Sequence, residues 1–211
     1  MEKGTFVVVE GGDGSGKSTV ASMAAHQLRS HGLTVLNTRE PGGTEVGVSI
    51  RNILLHEDIC CMTELLLFLA DRSEHIEKVM RPALEQGAVV ICDRFSMTTS
   101  VYQGLRCNRI SEDTIGLLNK VATLGIEPDI TILLDVDPAI GCTRNGKVGK
   151  DDNFERAPLE FHRQVRKRFI GLAIKDAKAV IVDASQPLDD VAARVTELIM
   201  RALIGHHYAC A

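Results

Sequence analysis

The sequence has 211 residues, of which 45% are hydrophobic and 25% are charged, and its formal net charge is -4. A chain of this size can bury a substantial core, and we expect a single domain over residues 1–211. The weak negative charge offers no basic surface for nucleic acid or an anionic membrane, and no apolar run approaches the ~18 residues of a spanning helix, so neither partner is expected.

Apolar runs of strand length alternate along the chain with longer segments of helical period. The predicted strands span residues 5–10, 34–38, 88–93, 130–135 and 179–183. The predicted helices span residues 17–31, 45–55, 63–86, 111–124, 138–144, 158–176 and 188–203. This alternation predicts an α/β fold with a doubly wound, parallel five-stranded sheet flanked by helices. In such sheets ligands bind beyond the carboxyl ends of the strands, so the residues that follow each strand are candidates for chemistry.

A glycine-rich loop joins the first predicted strand to the first predicted helix. Residues 11–18 read GGDGSGKS and match the motif GxxxxGK[ST]. Such a loop turns backbone N–H groups around phosphates at a helix N-terminus, and its lysine reaches the β and γ phosphates. The predicted ATP contacts are Gly11, Gly12, Asp13, Gly14, Ser15, Gly16, Lys17, Ser18 and Thr19. The motif predicts a P-loop NTPase-type fold but leaves the acceptor open, because hydrolases, switches, kinases and motors share it.

Two features near the first and second strands indicate what kind of molecule accepts the phosphoryl group. Asp13 is a carboxylate inside an anion-binding loop, which repels phosphate unless it engages a cation or a hydroxyl, such as a sugar hydroxyl of a second substrate. Arg39 and Glu40 lie at the end of the second strand, before a sharp turn at Pro41 and paired glycines. At this strand end Arg39 is predicted to hold a phosphate; a solvated surface arginine is the alternative.

Phe68 and Arg72 lie four residues apart on the third predicted helix, so they share one face. An aromatic plate and a planar donor fork together can stack on a base and read it. From spacing alone, however, a core phenylalanine beside a surface arginine is the favoured reading.

Asp93 and Arg94 end the buried third strand, which points at the glycine-rich loop. Asp93 is predicted to support Mg²⁺ together with the Ser18 hydroxyl, and Arg94 is predicted to clamp phosphate oxygens. A strand-terminal ion pair between Asp93 and Arg94 is the alternative. The segment 98–104 is polar with one aromatic residue, and its spacing alone supports no assignment.

The first residues and the cysteines indicate a cytoplasmic location. Residues 1–4 lead into a predicted strand rather than into the apolar segment of a signal peptide. The six cysteines lack CxxC spacing, and a chain of this length needs no disulfides, so reduced thiols are expected. Cys92, inside a predicted buried strand, is expected to be structural.

Taken together, these segments resemble the bacterial thymidylate kinase family over residues 6 to about 203. The resemblance is carried by EGGDGSGKS (10–18), TREPGGT (38–44), LFLADR (67–72), DRF (93–95), YQG (102–104), PD with LDV (128–129, 134–136) and DA with QPL (183–184, 186–188). It implies transfer of the γ-phosphoryl group of ATP to dTMP, which gives dTDP. It also implies Mg²⁺ as a cofactor and, usually, a homodimer.

The resemblance also implies roles for individual residues. Lys17, Arg94 and Asp13 would be catalytic, with Asp13 near the sugar hydroxyl and the acceptor phosphate. Phe68 would stack on thymine. The implied dTMP contacts are Asp13, Arg39, Glu40, Arg51, Phe68, Arg72, Arg94, Thr99, Tyr102 and Gln103. Among them, Arg72 and Thr99 would read the base edge, and Tyr102 and Gln103 would close the sugar side, where a ribose 2′-hydroxyl would be crowded.

Residues 144–156 are predicted to form a short mobile lid, and this segment departs from the family. Members with an acidic residue in the phosphate loop usually carry an arginine in an Asp-Arg-hydrophobic-Glu pattern, whereas Asn153 occupies that position here. Arg156 is taken as the catalytic replacement. The other candidates are Arg144, which is also assigned to ATP, Lys147 and Lys150. A slow enzyme without a lid cation is the alternative.

Two other functions share the phosphate loop. A deoxynucleoside kinase would phosphorylate an uncharged nucleoside, but it would not need three arginines at the acceptor crevice. A non-catalytic, nucleotide-dependent switch would present a partner surface, but the chain has no Asn-Lys-x-Asp segment for reading guanine.

Overall fold

The computed structural model describes residues 4–107, 109–145 and 157–209. Most of the predicted lid, including Lys147, Lys150, Asn153 and Arg156, therefore lies outside the described residues. Within the described ranges, no helix combines the length and the apolar character that crossing a membrane requires.

Five parallel strands form one sheet. They are β1 (Phe6–Glu10), β2 (Val35–Arg39), β3 (Val89–Asp93), β4 (Ile130–Asp135) and β5 (Ala179–Asp183), in the order β2-β3-β1-β4-β5. The register pairs Val9 with Asp93 and Glu10 with Leu133, so β1, β3 and β4 end at one edge of the sheet. The predicted doubly wound parallel fold is confirmed.

Helices cover both faces of this sheet. They are α1 (Lys17–Ser30), α2 (Glu45–His56), α3 (Cys61–His75), α4 (Arg81–Glu85), α5 (Ser96–Arg106), α6 (Glu112–Ala122), α7 (Pro138–Asn145), α8 (Leu159–Ala173) and α9 (Leu188–Ala209). The predicted helix 63–86 is divided by a π-helical turn at Ile76–Met80, before the proline at position 82. Helix α5 was not predicted and fills the segment that spacing had left unassigned.

The core lies in two layers because side chains alternate along β1. Val7 and Val9 face a layer formed with α1 and α9, whereas Phe6 and Val8 face a layer formed with the π-helical turn and α4. Burial of a valine side chain is worth about 1.5 kcal/mol or more. Strands β1 and β3 are buried along their whole length, so the loops that follow them are held firmly at the same sheet edge.

Candidate active site

The phosphate loop connects β1 to α1 and lies against α7. Gly14 has a φ of +72°, and a Cβ at that position would come within 2.1 Å of the carbonyl oxygen of Gly141, so only glycine fits. Lys17 Nζ donates to the carbonyl oxygen of Gly12 at 2.7 Å. Burial lowers the pKa of Lys17 to about 8, and the neighbouring Arg94 contributes in the same direction. A phosphate group close by would favour the charged form of this buried ammonium.

Ser18 and Asp93 meet where the loop faces the end of β3. The Ser18 hydroxyl donates to Asp93 Oδ2, whereas Asp93 Oδ1 is buried and finds no hydrogen-bond partner among the described residues. An orphaned carboxylate oxygen beside a hydroxyl is a donor set that suits Mg²⁺ or one of its bound waters. The two predicted metal ligands are thus brought together.

Asp13, Arg94 and Tyr102 form a cluster at the centre of the crevice. Asp13 Oδ1 accepts from Arg94 Nη2 at 2.5 Å, and Oδ2 accepts from the Tyr102 hydroxyl at 3.1 Å. Burial alone would raise the pKa of Asp13, but Arg94 and then Lys17 outweigh it, and the pKa lies below its usual range. Arg94 therefore pairs with Asp13, not with Asp93 as the alternative had it.

A cavity of about 340 Å³ joins the phosphate loop to this cluster. The loop residues that line it include Gly14, Gly16, Lys17, Ser18 and Thr19. The predicted acceptor residues that line it are Asp13, Arg39, Glu40, Arg51, Phe68, Arg94 and Tyr102. Arg51 Nη1 also donates to the carbonyl oxygen of Pro41 at 3.0 Å, which ties α2 to the turn after β2. Side chains from β2, α2, α3, β3 and α5 thus converge on one space.

Three predicted dTMP contacts lie next to this cavity and not in its lining. Arg72 is only 2% exposed, so the reading of it as a surface arginine is wrong. Arg72 donates to Glu40 Oε2 at 2.8 Å and to Thr99 Oγ1 at 3.1 Å. Gln103 donates to Glu64, while its Oε1 is buried and without a hydrogen-bond partner in the described part of the chain. Glu40, Arg72, Thr99 and Gln103 are all buried, and we call them the buried polar layer.

Asp71 is also buried. Its Oδ1 accepts from the backbone N–H of Gly42 at 2.9 Å, which anchors the turn after β2. Burial, followed by the negative charge of Glu40, raises the pKa of Asp71 to about 6.

A second cavity, of about 320 Å³, opens on the other side of the phosphate loop. It is lined by loop residues together with Arg144, Ala184, Gln186 and Leu188. Arg144 Nη1 donates to the carbonyl oxygen of Ala184 at 2.9 Å. The predicted ATP residue Arg144 thus lies beside the loop, whereas the predicted catalytic Arg156 is outside the described residues.

Two side chains of the site were missed by sequence reasoning. Glu10, the last residue of β1, accepts hydrogen bonds from the start of α5. A carboxylate that ends an apolar strand was the signal that could have identified it, as it identified Asp93. His162 on α8 is buried, with Nδ1 3.9 Å from Asp13 Oδ2. A single histidine on an amphipathic helix gives no such signal.

Comparison with known proteins adds independent findings. A family model described as Thymidylate kinase matches residues 9–195. The chain is 41% identical over 202 residues to the thymidylate kinase of Synechococcus sp. (strain JA-3-3Ab), with 95% of this chain and 97% of that protein covered. It is 40% identical to the thymidylate kinase of Desulfosudis oleivorans, with 93% and 96% covered, and 41% identical to that of Leifsonia xyli subsp. xyli, with 91% and 92% covered.

Proposed function

The chain belongs to the thymidylate kinase family and is a phosphotransferase that carries the γ-phosphoryl group of ATP to dTMP, and we propose that the crevice residues perform this reaction in the roles below. One observation carries the assignment of roles: a single cavity is lined both by the phosphate loop and by three arginines and Phe68. Donor and acceptor phosphates can therefore meet within one cavity. Among the described residues, no feature of the site favours the two alternative functions, a deoxynucleoside kinase and a nucleotide-dependent switch.

In this proposal Arg39, Arg51 and Arg94 hold the acceptor phosphate, because planar guanidinium groups match phosphate oxygens in pairs. Phe68 stacks on the thymine. The buried polar layer of Glu40, Arg72, Thr99 and Gln103 then reads the base edge. Gln103 Oε1, which has no hydrogen-bond partner among the described residues, supports a role in recognition.

Catalysis by these residues consists of positioning and charge stabilisation, because the transition state of phosphoryl transfer is loose and highly charged. Lys17 leaves the Gly12 carbonyl to hold the β and γ phosphates. Arg94 shares its guanidinium between Asp13 and the acceptor phosphate, so Asp13 orients the arginine that holds this phosphate. A carboxylate oxygen accepts more than one hydrogen bond, so Asp13 also accepts from the sugar hydroxyl.

Ser18 and Asp93 would hold Mg²⁺, and the orphaned Asp93 Oδ1 supports this assignment. A bound Mg²⁺ supplies positive charge to the transferring phosphoryl oxygens. Arg144 would lie beside the donor nucleotide, and Arg156, which lies outside the described residues, would supply the cation of the lid predicted over residues 144–156.

We further propose that the chain works as a single cytoplasmic domain, and as a homodimer. Apolar side chains on α2, α3 and α6 support a second copy as the partner. They are Val46, Val48, Met62, Leu66, Leu117 and Val121, each more than 40% exposed. Helix α3 packs against both α2 and α6, so these side chains lie on adjacent helices. Free thiols at Cys60, Cys61, Cys92, Cys107 and Cys142 support a reducing compartment.

A coupled assay of ADP release with dTMP, dUMP, dGMP and thymidine as acceptors tests the substrate. We expect the highest kcat/KM with dTMP and no acceleration by thymidine, because thymidine brings no phosphate to the three arginines. A higher kcat/KM with another monophosphate, or with thymidine, would overturn the proposed acceptor.

A further inference from the structure

Glu10 is a fully buried carboxylate for which the mechanism above has no role. It is the last residue of β1, directly before the phosphate loop, and its side chain reaches the first turn of α5. Oε1 accepts from the backbone N–H groups of Phe95 and Thr98, at 2.9 and 3.1 Å. Oε2 accepts from the Thr98 hydroxyl at 2.5 Å. Glu10 thereby joins β1, which leads into the phosphate loop, to α5, which carries proposed dTMP contacts.

Arg94 occupies the short connection between β3 and α5, in a backbone conformation that needs support. Its φ is +72°, which is unfavourable for a residue with a side chain. On one side the Arg94 N–H donates to the carbonyl oxygen of Val9 at 3.0 Å. On the other side the chain continues into Phe95, whose N–H is bound by Glu10. The backbone of Arg94 is therefore fixed between β1 and the carboxylate that ends β1.

The Thr98 hydroxyl links Glu10 to the guanidinium of Arg94. Arg94 Nη1 lies 3.4 Å from Thr98 Oγ1, and a guanidinium can only donate. Thr98 Oγ1 therefore accepts from Arg94, and its own proton is left to point at Glu10 Oε2. In the described part of the chain, every hydrogen bond to Glu10 comes from a donor, so the carboxylate sets the direction in which the Thr98 hydroxyl points.

We propose that Glu10 is a positioning residue for Arg94: it fixes both the backbone and, through Thr98, the guanidinium that receives the acceptor phosphate. This inference rests on the proposed role of Arg94 in holding that phosphate. Glu10 needs no contact with either substrate. Its effect should therefore appear in the use of dTMP and not in the binding of ATP.

The variant Glu10→Gln tests this relay from Glu10 through Thr98 to Arg94 with little change of shape. An amide has one acceptor end and one donor end, so its NH₂ end must now face a group that also donates. If the amide NH₂ faces Thr98 Oγ1, the hydroxyl proton turns toward Arg94 and repels it. Since a hydrogen bond to a charged group is worth about 1.5 to 3 kcal/mol, we expect kcat/KM for dTMP to fall about tenfold to hundredfold, with KM for ATP changed less than about twofold.

Thr98→Val removes the relay hydroxyl but keeps the side-chain shape. We expect the same selective loss with dTMP, and the double variant Glu10→Gln, Thr98→Val should be no worse than the poorer single variant, because both break one chain of contacts. Thr98→Ser should restore the use of dTMP. Asp129→Asn is the matched control, because Asp129 also binds a β1 backbone N–H, that of Phe6 at 2.7 Å, at the opposite end of the strand.

Additive losses, or a KM for ATP that rises as much as the KM for dTMP, would overturn the inference, because Glu10 would then act on the fold or on Lys17. Equal kcat/KM for dTMP in the wild type and in Glu10→Gln would also overturn it. Failure of the proposed function is distinguishable, because the wild-type protein itself would then not phosphorylate dTMP.

Discussion

Asp13 lies where the donor loop meets the acceptor end of the cavity, and its charge is met by Arg94 and by the hydroxyl of Tyr102. The acidic side chain is thus compensated by Arg94, from the connection between β3 and α5, and by Tyr102 of α5. Arg94 is shared in this account, since it neutralises Asp13 first and serves the acceptor phosphate afterwards. Asp13 then holds Arg94 close to the position that the acceptor phosphate is proposed to occupy.

Removal of the lysine ammonium tests the donor side of the site. We expect Lys17→Ala to lower kcat by about 10² to 10³, by comparison with other lost electrostatic donors in active sites. The fold should remain, because Lys17 is a buried ammonium whose pKa is already lowered by burial and its removal relieves that cost. Steady-state kinetics and thermal unfolding of both proteins measure the two effects. Unchanged turnover in the variant would contradict the role of Lys17.

Asp71 provides a pH dependence of stability with a defined sign. Its pKa is raised from 3.8 to about 6, so between these pH values the folded state holds more protons than the unfolded state. Its contribution to stability is therefore complete below pH 3.8 and lost as the pH rises through about 6. A shift of two pKa units corresponds to at most about 3 kcal/mol.

We accordingly expect Asp71→Asn to flatten the fall in the free energy of unfolding between pH 4 and pH 7, and to stabilise the protein at pH 7.5. Urea unfolding across this pH range is the measurement. Glu127→Gln, at a position that is 71% exposed, is the control and should keep the wild-type slope. A slope for Asp71→Asn that equals the wild-type slope would show that Asp71 is not the titrating group.

Helices and strands differ in how well the sequence predicts them. The valine run of β1 and the motif at residues 11–18 are local signals, and both lead to the observed elements. Helix α5 begins with a polar run that includes two β-branched threonines, and its first turn is bound by Glu10, which is 85 residues away from Phe95. No local pattern reports such a distant partner, so this helix and its support for Arg94 could not be predicted.

The proposed base-recognition residues were less predictable than the proposed phosphate-binding residues, for a related reason. Spacing places Phe68 and Arg72 on one helical face, but burial of Arg72 depends on Glu40, Thr99 and Asn119, which come from three other parts of the chain. A buried arginine requires such partners, and a single segment cannot indicate them.

The N-terminus of α2 offers a test at the scale of one element. The Thr44 side chain accepts from the N–H of Gly47 at 2.9 Å, and this cap fixes the helix that carries Arg51. Thr44→Ala should cost about 1 kcal/mol of stability and also raise KM for dTMP, because Arg51 lines the acceptor end of the cavity. Denaturant unfolding and steady-state kinetics measure the two quantities.

Ser111→Ala is the matched control for this cap. Ser111 caps α6 in the same way, through the N–H of Thr114 at 3.1 Å, but α6 contributes no side chain to the lining of that cavity. We expect a similar loss of stability with unchanged KM for dTMP. An equal rise of KM in both variants would mean that general destabilisation, and not the position of Arg51, controls acceptor binding.

At the scale of the whole molecule, the exposed apolar side chains of α3 and α6 test the proposed homodimer. Leu66→Glu and Leu117→Glu should each convert a dimer to monomers, because burying an unpaired carboxylate in an apolar interface is costly. Light scattering after size-exclusion chromatography gives the mass. Ile174→Glu, at the end of α8 and 74% exposed, is the control and should remain dimeric. Dimers that persist in the first two variants would exclude this surface.

We propose that this molecule brings ATP and dTMP together in one cavity and transfers the γ-phosphoryl group directly between them. Incubation with γ-labelled ATP and dTMP, followed by separation of the products, measures this transfer. We predict labelled dTDP in equal amount to ADP, little labelled inorganic phosphate, and strongly reduced label transfer with Lys17→Ala. Label that appears as inorganic phosphate without labelled dTDP, or that is transferred to thymidine in place of dTMP, would contradict the account.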